Sequence, residues 1–420
     1  MADAQAFQPE QILTADGTPL KVSLQRSMRR RKLRAVGLVL PPLIFLMVLF
    51  VFPIGSLLTV SVDDTLINEI LPRTFEKFDE WDQEQLPGEE LYEAMYTDLT
   101  TAERLQVGKA SIRMNYAHPG WRSVVKGSAR KFRKIEGPPF KEAMIEADEA
   151  WADAEFWRSL GIMKDRYTLG YYLNALDLQF DGQKNVVQQP ENRRVYMLLW
   201  ERTLIISFIV TIGCLLLGYP VAHLLATLPL RYSNLLMICV LMPFWTSLLV
   251  RIVAWMIMLQ QNGVVNDTLV WSGLLSDANR LPMMYNFNGT VIVMIQILLP
   301  FMILPLYSVM KTIPPSYMKA AQNLGATPAL AFIKVYLPQT VPGIGAGVIL
   351  VFIVAIGYYI TPELVGGRNG QMIGNFIARH MQQTLNWGLA AAMGTLLLFA
   401  ILLLYYVYDR IVGIDNMKMG

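Results

Sequence analysis

The chain is poor in the residues from which most catalytic and metal sites are built. Its 420 residues include two cysteines and three histidines. Cys214 and Cys239 both lie in apolar runs, which favours packing over a disulfide or a metal site. With only three histidines available, His118, His223 and His380, no histidine-rich metal centre is expected. The G-x-x-x-x-G-K-[ST] phosphate loop of ATP-binding proteins is also missing. Without this loop and without a cluster of catalytic groups, the sequence predicts no cofactor and no enzyme activity on this chain.

Charge is also scarce. Charged residues make up 16% of the chain and hydrophobic residues 54%, whereas a soluble domain carries about 25% charge. Residues 61–195 hold 18 Lys/Arg and 24 Asp/Glu, and the rest of the chain holds 18 and 9. An acidic, water-soluble block therefore interrupts an apolar, basic one. This pattern indicates membrane topology and contact with lipid, not nucleic-acid binding.

Long apolar runs predict an all-α membrane protein. A helix needs about 20 apolar residues to cross a bilayer, and about six runs satisfy this. They are residues 36–60, 197–226, 235–259, 289–309, 342–364 and 388–412. A large, mainly helical insertion is predicted between the first and second transmembrane helices. A signal peptide is an alternative for the first run, but that run is long and no small-residue cleavage site follows it.

Basic residues predict the orientation. Arg29, Arg30, Arg31, Lys32 and Arg34 precede the first run, and positive residues are retained in the cytoplasm. Both termini are therefore expected inside. The predicted parts are a basic cytoplasmic tail (1–35), the first transmembrane helix (36–60), an outside domain (61–195), a core with five transmembrane helices (196–412) and a cytoplasmic tail (413–420).

The outside block is too long for a plain connection. Its aromatic residues, including Trp81, Trp121, Trp151 and Trp157, predict a small hydrophobic core. A partly disordered loop is the alternative.

Residues 313–338, IPPSYMKAAQNLGATPALAFIKVYLP, form an unusual cytoplasmic segment. Pro314 and Pro315 can begin a helix, and Gly325 permits a turn after it. Thr327 followed by Pro328 predicts an N-cap with proline at the first helical position. A second short helix is expected to end at Pro338.

This stretch resembles the EAA loop of ABC importer permeases, in which E-A-A, three residues, glycine, nine residues and I-x-L-P follow one another. The matching residues are Ala320, Ala321, Gly325, Leu337 and Pro338. Val335 replaces the usual isoleucine, and Lys319 reverses the charge of the usual glutamate. The resemblance implies that the loop (residues 311–338) is a coupling helix that contacts an ATPase. The implied contact residues are Lys319, Ala320, Ala321, Gly325, Ala326, Leu337 and Pro338.

Residues 241–255, 357–374 and 387–394 resemble the spermidine/putrescine branch of these permeases. The resemblance implies a bacterial inner-membrane subunit with a periplasmic insertion. Implied partners are a second, different permease, an ATPase dimer that binds ATP and Mg²⁺, and a periplasmic solute-binding protein. The implied mechanism is alternating access, and the implied solute is a polyamine or a related amine or opine.

Charged residues within spans are costly and tend to face a cavity or a partner. Arg251 is either a pathway or interface residue, or an arginine that snorkels to the surface. Glu363, with Tyr358 and Tyr359, would suit a cationic solute, or it forms a helix-ending turn with packed tyrosines.

Two further residues complete the pathway candidates. Gln296 could hydrogen-bond the solute or a neighbouring helix, and Trp245 could line the path or pack. An ion-gradient-driven secondary transporter is the main alternative function, although no internal repeat favours it. A membrane enzyme lacks clustered catalytic groups, and a sensor lacks a cytoplasmic output domain.

Overall fold

The computed structural model describes residues 20–412 except residues 118, 119, 136 and 182. Residues 1–19 and 413–420, parts of the predicted cytoplasmic tails, lie outside the described residues. The chain divides into two units, residues 1–59 and residues 60–420. The first unit contains a helix that begins at Leu20 and continues, through a π-helical turn at Met47–Val51, to the boundary between the units at Val60. Its apolar part, Arg31–Val60, is long enough to cross a membrane.

The insertion, residues 61–195, is mainly helical. Its helices are Thr65–Ile70, Pro72–Phe78, Glu89–Thr101, Arg104–Ala117, Trp121–Lys131, Phe140–Ala147, Ala154–Ile162 and Gly170–Ala175, with short 3-10 turns at Phe132–Lys134, Glu149–Ala152 and Glu191–Arg193. Strands Leu178–Phe180 and Val186–Gln188 form an antiparallel hairpin. The predicted aromatic core is confirmed for Trp121, Trp151 and Trp157, which are buried, while Trp81 packs at its edge.

A buried ion pair fixes the start of the insertion to its middle, and a tyrosine from its later part joins the pair. The Arg113 guanidinium donates through Nε and Nη2 to the two oxygens of Asp64, at 2.8 and 2.6 Å. The Tyr171 hydroxyl donates to the same carboxylate at 3.0 Å. Burial by itself would lower the pKa of Arg113, but the Asp64 carboxylate raises it, so the guanidinium stays charged.

A second carboxylate joins the insertion to the membrane core. Asp177 accepts hydrogen bonds from the backbone N–H groups of Val195, Tyr196 and Met197, at 3.1, 3.0 and 2.8 Å. These groups are the unpaired donors at the N-terminus of the helix Tyr196–Thr227. A carboxylate there also interacts favourably with the helix dipole. The Tyr171 ring also packs closely on Gly388. A Cβ added at Gly388 would lie 2.4 Å from the Tyr171 ring.

The core contains the remaining helices. They are Tyr196–Thr227, Leu230–Leu241, Leu248–Met258, Val264–Trp271, Phe287–Thr312, Pro315–Asn323, Pro328–Ala331, Leu337–Ile356, Ile360–Val365, Gly367–Gly370, Ile373–Gln382 and Trp387–Val412. Short turns lie at Met242–Trp245, Asp277–Asn279 and Phe332–Tyr336. The second, fourth and fifth spans pack most extensively on one another. Gly347 permits this contact, because a Cβ there would lie 2.6 Å from the Met302 sulfur.

About six spans are present, but two differ from the prediction. The third span is broken: Leu230–Trp245 and Leu248–Met258 meet at 99°. Pro243 lies in the 3-10 turn Met242–Trp245 before the break, where it cannot donate a backbone hydrogen bond. The fifth span is continuous from Pro328 to Ile356, so it begins earlier and ends earlier than predicted. Gly357 ends it, and Ile360–Val365 is a separate helix.

Candidate functional site

The 311–338 loop contains two helices that meet at a left-handed glycine. Pro315–Asn323 ends with Gly325 at φ +92°, a conformation that residues with a Cβ rarely adopt. The Gly325 N–H bonds to the Gln322 carbonyl and the Ala326 N–H to the Ala321 carbonyl, at 2.9 and 3.1 Å. This pair of bonds is the Schellman motif, which satisfies the last carbonyls of the helix.

The start of the second helix follows the prediction and its end does not. The Thr327 hydroxyl accepts from the Leu330 N–H at 3.3 Å, and Pro328 occupies the first helical turn. Pro338 was expected to end the helix, and this expectation is wrong. The Leu337 N–H bonds to the Phe332 carbonyl, five residues back, in the π-helical turn Phe332–Tyr336. This wider turn makes room for the proline ring, which a regular α-helix would not.

An aromatic cluster fixes the π-helical turn to the second span. The rings of Phe332 and Tyr336 stack at 5.4 Å, and His223 contacts both edge-on at 5.5 and 5.0 Å. The Tyr219 hydroxyl lies 3.1 Å from the Thr340 hydroxyl. Since the Thr340 hydroxyl donates to the Leu337 carbonyl, Tyr219 donates to Thr340. A displacement of the loop would therefore be transmitted directly to the second and fifth spans.

The loop presents an apolar surface to its surroundings. Leu324 is 89% exposed, and Tyr317, Leu330 and Ile333 are also exposed. Lys319, Ala320, Gly325 and Pro338 are exposed, whereas Ala321, Ala326 and Leu337 are half-buried. Clustered apolar side chains on a short loop are typical of a protein–protein contact. Four of the seven residues predicted to contact a partner are thus exposed, and the other three are partly exposed.

A polar cavity lies at the opposite end of the bundle. Its volume is about 300 Å³. The lining residues are Tyr359, Glu363, Gln371, Asn375, Phe376, Ala378, Arg379, Gln382 and Gln383. We call this the 359–383 cavity. It unites two predicted pathway residues, Tyr359 and Glu363, with the helix Ile373–Gln382.

The contribution of that helix was not predicted from the sequence. Asn375, Arg379, Gln382 and Gln383 follow one another at spacings of four, three and one residues, which places them on one helix face. A polar face on a segment between two spans was the signal that could have identified them. Asn375 is almost fully buried, and its Nδ2 donates to the Glu363 carboxylate at 2.7 Å.

The other four pathway candidates do not line this cavity. Arg251 lies in the second arm of the broken span, near enough to Tyr358 to interact electrostatically. Its Nε is buried without a hydrogen-bond partner among the described residues. Gln296 accepts a hydrogen bond from the Trp255 indole N–H at 3.0 Å. This bond links two helices, which is the second of the two roles that the sequence allowed for Gln296. Trp245, just before the break, is 73% exposed.

Comparison with known proteins identifies relatives of the core. Residues 214–415 match the family model described as binding-protein-dependent transport system inner membrane component. The spermidine/putrescine transport system permease protein PotB of Escherichia coli (strain K12) is 36% identical over 213 residues, which cover 51% of this chain and 77% of the relative. PotB of Haemophilus influenzae is 37% identical over 218 residues, with coverage of 52% and 75%.

The inner membrane ABC transporter permease protein YdcU of Escherichia coli (strain K12) is a further relative. It is 34% identical over 226 residues, which cover 50% of this chain and 70% of the relative. Among solved structures, a bacterial ABC transporter involved in the import of the acidic polysaccharide alginate matches with a TM-score of 0.44 and 20% identity, covering 55% of this chain and 82% of that one.

Proposed function

Because the chain belongs to the family of inner membrane components of binding-protein-dependent transport systems, we propose that it forms half of the membrane pathway for a small amine. At the coarse level, the chain is a multi-pass permease subunit of an ABC importer and not an enzyme. The finer proposal is that its solute is a polyamine such as spermidine or putrescine, or a related amine or opine. The names of the PotB relatives support this solute.

The 359–383 cavity supports a cationic solute. Glu363 supplies one carboxylate, and the ring of Tyr359, which is 41% exposed, supplies an aromatic face. A carboxylate and an aromatic face together attract an ammonium group. The amide groups of Gln371, Gln382 and Gln383 add hydrogen-bonding partners. This cavity is proposed as a place where the solute enters or waits.

The 311–338 loop is proposed to contact an ATPase dimer that binds ATP and Mg²⁺. Its exposed apolar side chains would enter a groove of the ATPase, and the Schellman turn at Gly325 would set the angle between the two loop helices. Closure of the ATPase dimer would then move the spans by way of the aromatic cluster at Phe332 and Tyr336. The result is alternating access by rigid-body motion. Lys319 requires a contact other than the one a glutamate would make.

The proposed assembly contains a second, different permease, the ATPase dimer and a periplasmic solute-binding protein. In the proposed topology both termini are cytoplasmic and the insertion is periplasmic, in the bacterial inner membrane. The insertion and the 359–383 cavity lie at the same end of the bundle, since Tyr116 of the insertion packs edge-on against His380, with ring centroids 6.2 Å apart. Solute delivered on that side would meet the cavity first.

The exposed apolar surface of the 311–338 loop is the observation that carries the proposal of an ATPase-driven importer subunit. The test is purification of the tagged chain in mild detergent, with identification of its partners by mass and measurement of ATP hydrolysis. We expect a second permease and an ATPase to co-purify, and hydrolysis to rise when binding protein and putrescine are added. A chain that purifies alone and still transports would contradict the importer proposal and make an ion-gradient-driven carrier the leading account.

A further inference from the structure

Asn375 is a buried amide whose orientation is fixed on every side. Its Oδ1 accepts from the Met372 N–H at 3.0 Å. Its Nδ2 donates both to the Tyr359 carbonyl at 2.9 Å and to Oε2 of Glu363 at 2.7 Å. The Met372 donor and the Tyr359 acceptor leave one arrangement of the amide oxygen and nitrogen that satisfies both. The Nδ2 group must therefore point at Glu363.

The contact divides the Glu363 carboxylate into two oxygens with different surroundings. Oε2 is held by Asn375, whereas Oε1 accepts no hydrogen bond from any described residue. Glu363 also makes no ion pair with the described residues, although the Arg379 side chain lines the same cavity. Its side chain is exposed to the cavity. An exposed carboxylate without a partner samples several rotamers, and ordering it costs free energy when a ligand binds. Asn375 removes part of this cost in advance.

The rest of the cavity limits how much positive charge it can accept. The Arg379 guanidinium lies 5.7 Å from the centre of the Phe376 ring, and it places one positive charge on the cavity wall. Glu363 is the one carboxylate among the described lining residues. A second ammonium in this volume would face Arg379 without a counter-charge. The cavity therefore suits one ammonium end of an extended amine.

We propose that Asn375 is a positioning residue for solute recognition: it holds Glu363 so that the free oxygen receives one ammonium end of the solute. This inference rests on the proposed function, because it assumes that the 359–383 cavity contacts the solute. It adds a residue outside the matched loop and the predicted pathway set. It also specifies that recognition in this cavity involves a single cationic group.

The test uses the whole importer in proteoliposomes, with putrescine as the probe and putrescine taken up per ATP hydrolysed as the readout. We expect Glu363→Gln and Asn375→Ala each to lower this ratio about tenfold, equivalent to about 1.4 kcal/mol. The double variant should be no worse than Glu363→Gln within about twofold, because both changes remove one interaction. Asn369→Ala, at an exposed asparagine that does not line the cavity, is the matched control and should behave as wild type.

Each other outcome has a defined meaning. A normal ratio for Asn375→Ala beside an impaired Glu363→Gln would overturn the positioning role and leave the proposed cavity intact. Additive losses in the double variant would also overturn it. A normal Glu363→Gln would remove the solute role of the cavity, and the inference with it, while the importer assignment would stand on co-purification. If Asn375→Ala does not assemble, Asn375→Leu, which fills the same space without a donor, replaces it.

Discussion

Single residues in this chain show how burial decides chemistry. His380 is 5% exposed, and its Nε2 and Nδ1 lie 3.0 Å from the Tyr196 and Thr384 hydroxyls. It lies in Ile373–Gln382, between the fifth and sixth spans. Burial, with a smaller effect from the neighbouring Arg379 charge, lowers the pKa of His380 to about 4. The ordinary value is about 6.5, so the folded protein keeps this ring neutral at pH 7.

This pKa predicts loss of stability in mild acid. Between about pH 6.5 and pH 4 the unfolded chain binds a proton at His380 that the folded chain does not, so the free energy of unfolding falls as pH is lowered. The maximum slope from this group is about 1.4 kcal/mol per pH unit. The measurement is thermal unfolding in detergent across this range. His380→Gln should show a shallower loss than wild type, and parallel profiles would contradict the assignment.

At the scale of elements, two prolines share one structural solution. Pro53 and Pro338 each lie two residues after a π-helical turn, Met47–Val51 and Phe332–Tyr336. In both turns the next N–H bonds five residues back, from Phe52 to Met47 and from Leu337 to Phe332. The helix thereby passes a proline that would otherwise clash with the preceding turn. In the 311–338 loop this solution joins the second loop helix to the fifth span without a break.

The turn at Gly325 gives the prediction for this element. No atom lies within 4 Å of the position that a Cβ would take there, so a substitution acts first through the positive φ. A residue with a Cβ costs about 1–2 kcal/mol in this conformation, and a large one also changes the exposed surface. We expect Gly325→Ala to reduce, and Gly325→Trp to abolish, recovery of the ATPase in a pull-down, with normal membrane insertion of both variants.

Gly88 provides the control for this experiment. A Cβ at Gly88 would also meet open space, but the φ of this residue is −71°, so Gly88→Ala should leave ATPase recovery unchanged. Normal transport by Gly325→Trp would be incompatible with a role of this loop in coupling. Loss of the chain from the membrane fraction would show instead that the turn is needed for folding.

Local signals explain which elements could be predicted from the sequence. Thr327 followed by Pro328 specifies a helix start within a few residues. The prediction of Thr327 as N-cap and of Pro328 in the first turn was correct. The break after Trp245 and the bypass of Pro338 depend on how neighbouring spans pack, which hydropathy does not report. The 359–383 cavity required Glu363 and Asn375 to meet across twelve residues and two helices. Glu363 could be predicted from the sequence as a pathway residue, but Asn375, whose amide orients the Glu363 carboxylate, could not.

At the scale of the whole molecule, the insertion is joined to the core by specific contacts rather than by a loose tether. Asp177 caps the second span, and Tyr171 of the cluster with Asp64 and Arg113 packs on Gly388 at the start of the sixth. A buried ion pair that loses one partner costs about 3–5 kcal/mol, so Asp64 and Arg113 hold Tyr171 firmly in the position from which it contacts the core. A domain held in this way would move with the ends of the second and sixth spans during transport.

The orientation of the molecule in the membrane can be tested by cysteine labelling, because only two native cysteines have to be replaced first. With Cys214 and Cys239 replaced by alanine, single cysteines at Lys126, exposed in the insertion, and at Lys319, exposed in the loop, report opposite ends of the bundle. In intact spheroplasts a membrane-impermeant maleimide should label Lys126→Cys, whereas Lys319→Cys should react only after the membrane is opened. This result is expected because the parts of the chain other than the insertion contain an excess of basic residues, and positive residues stay in the cytoplasm. Labelling of Lys319→Cys in intact spheroplasts would reverse the topology and place the 311–338 loop where no cytoplasmic ATPase could reach it.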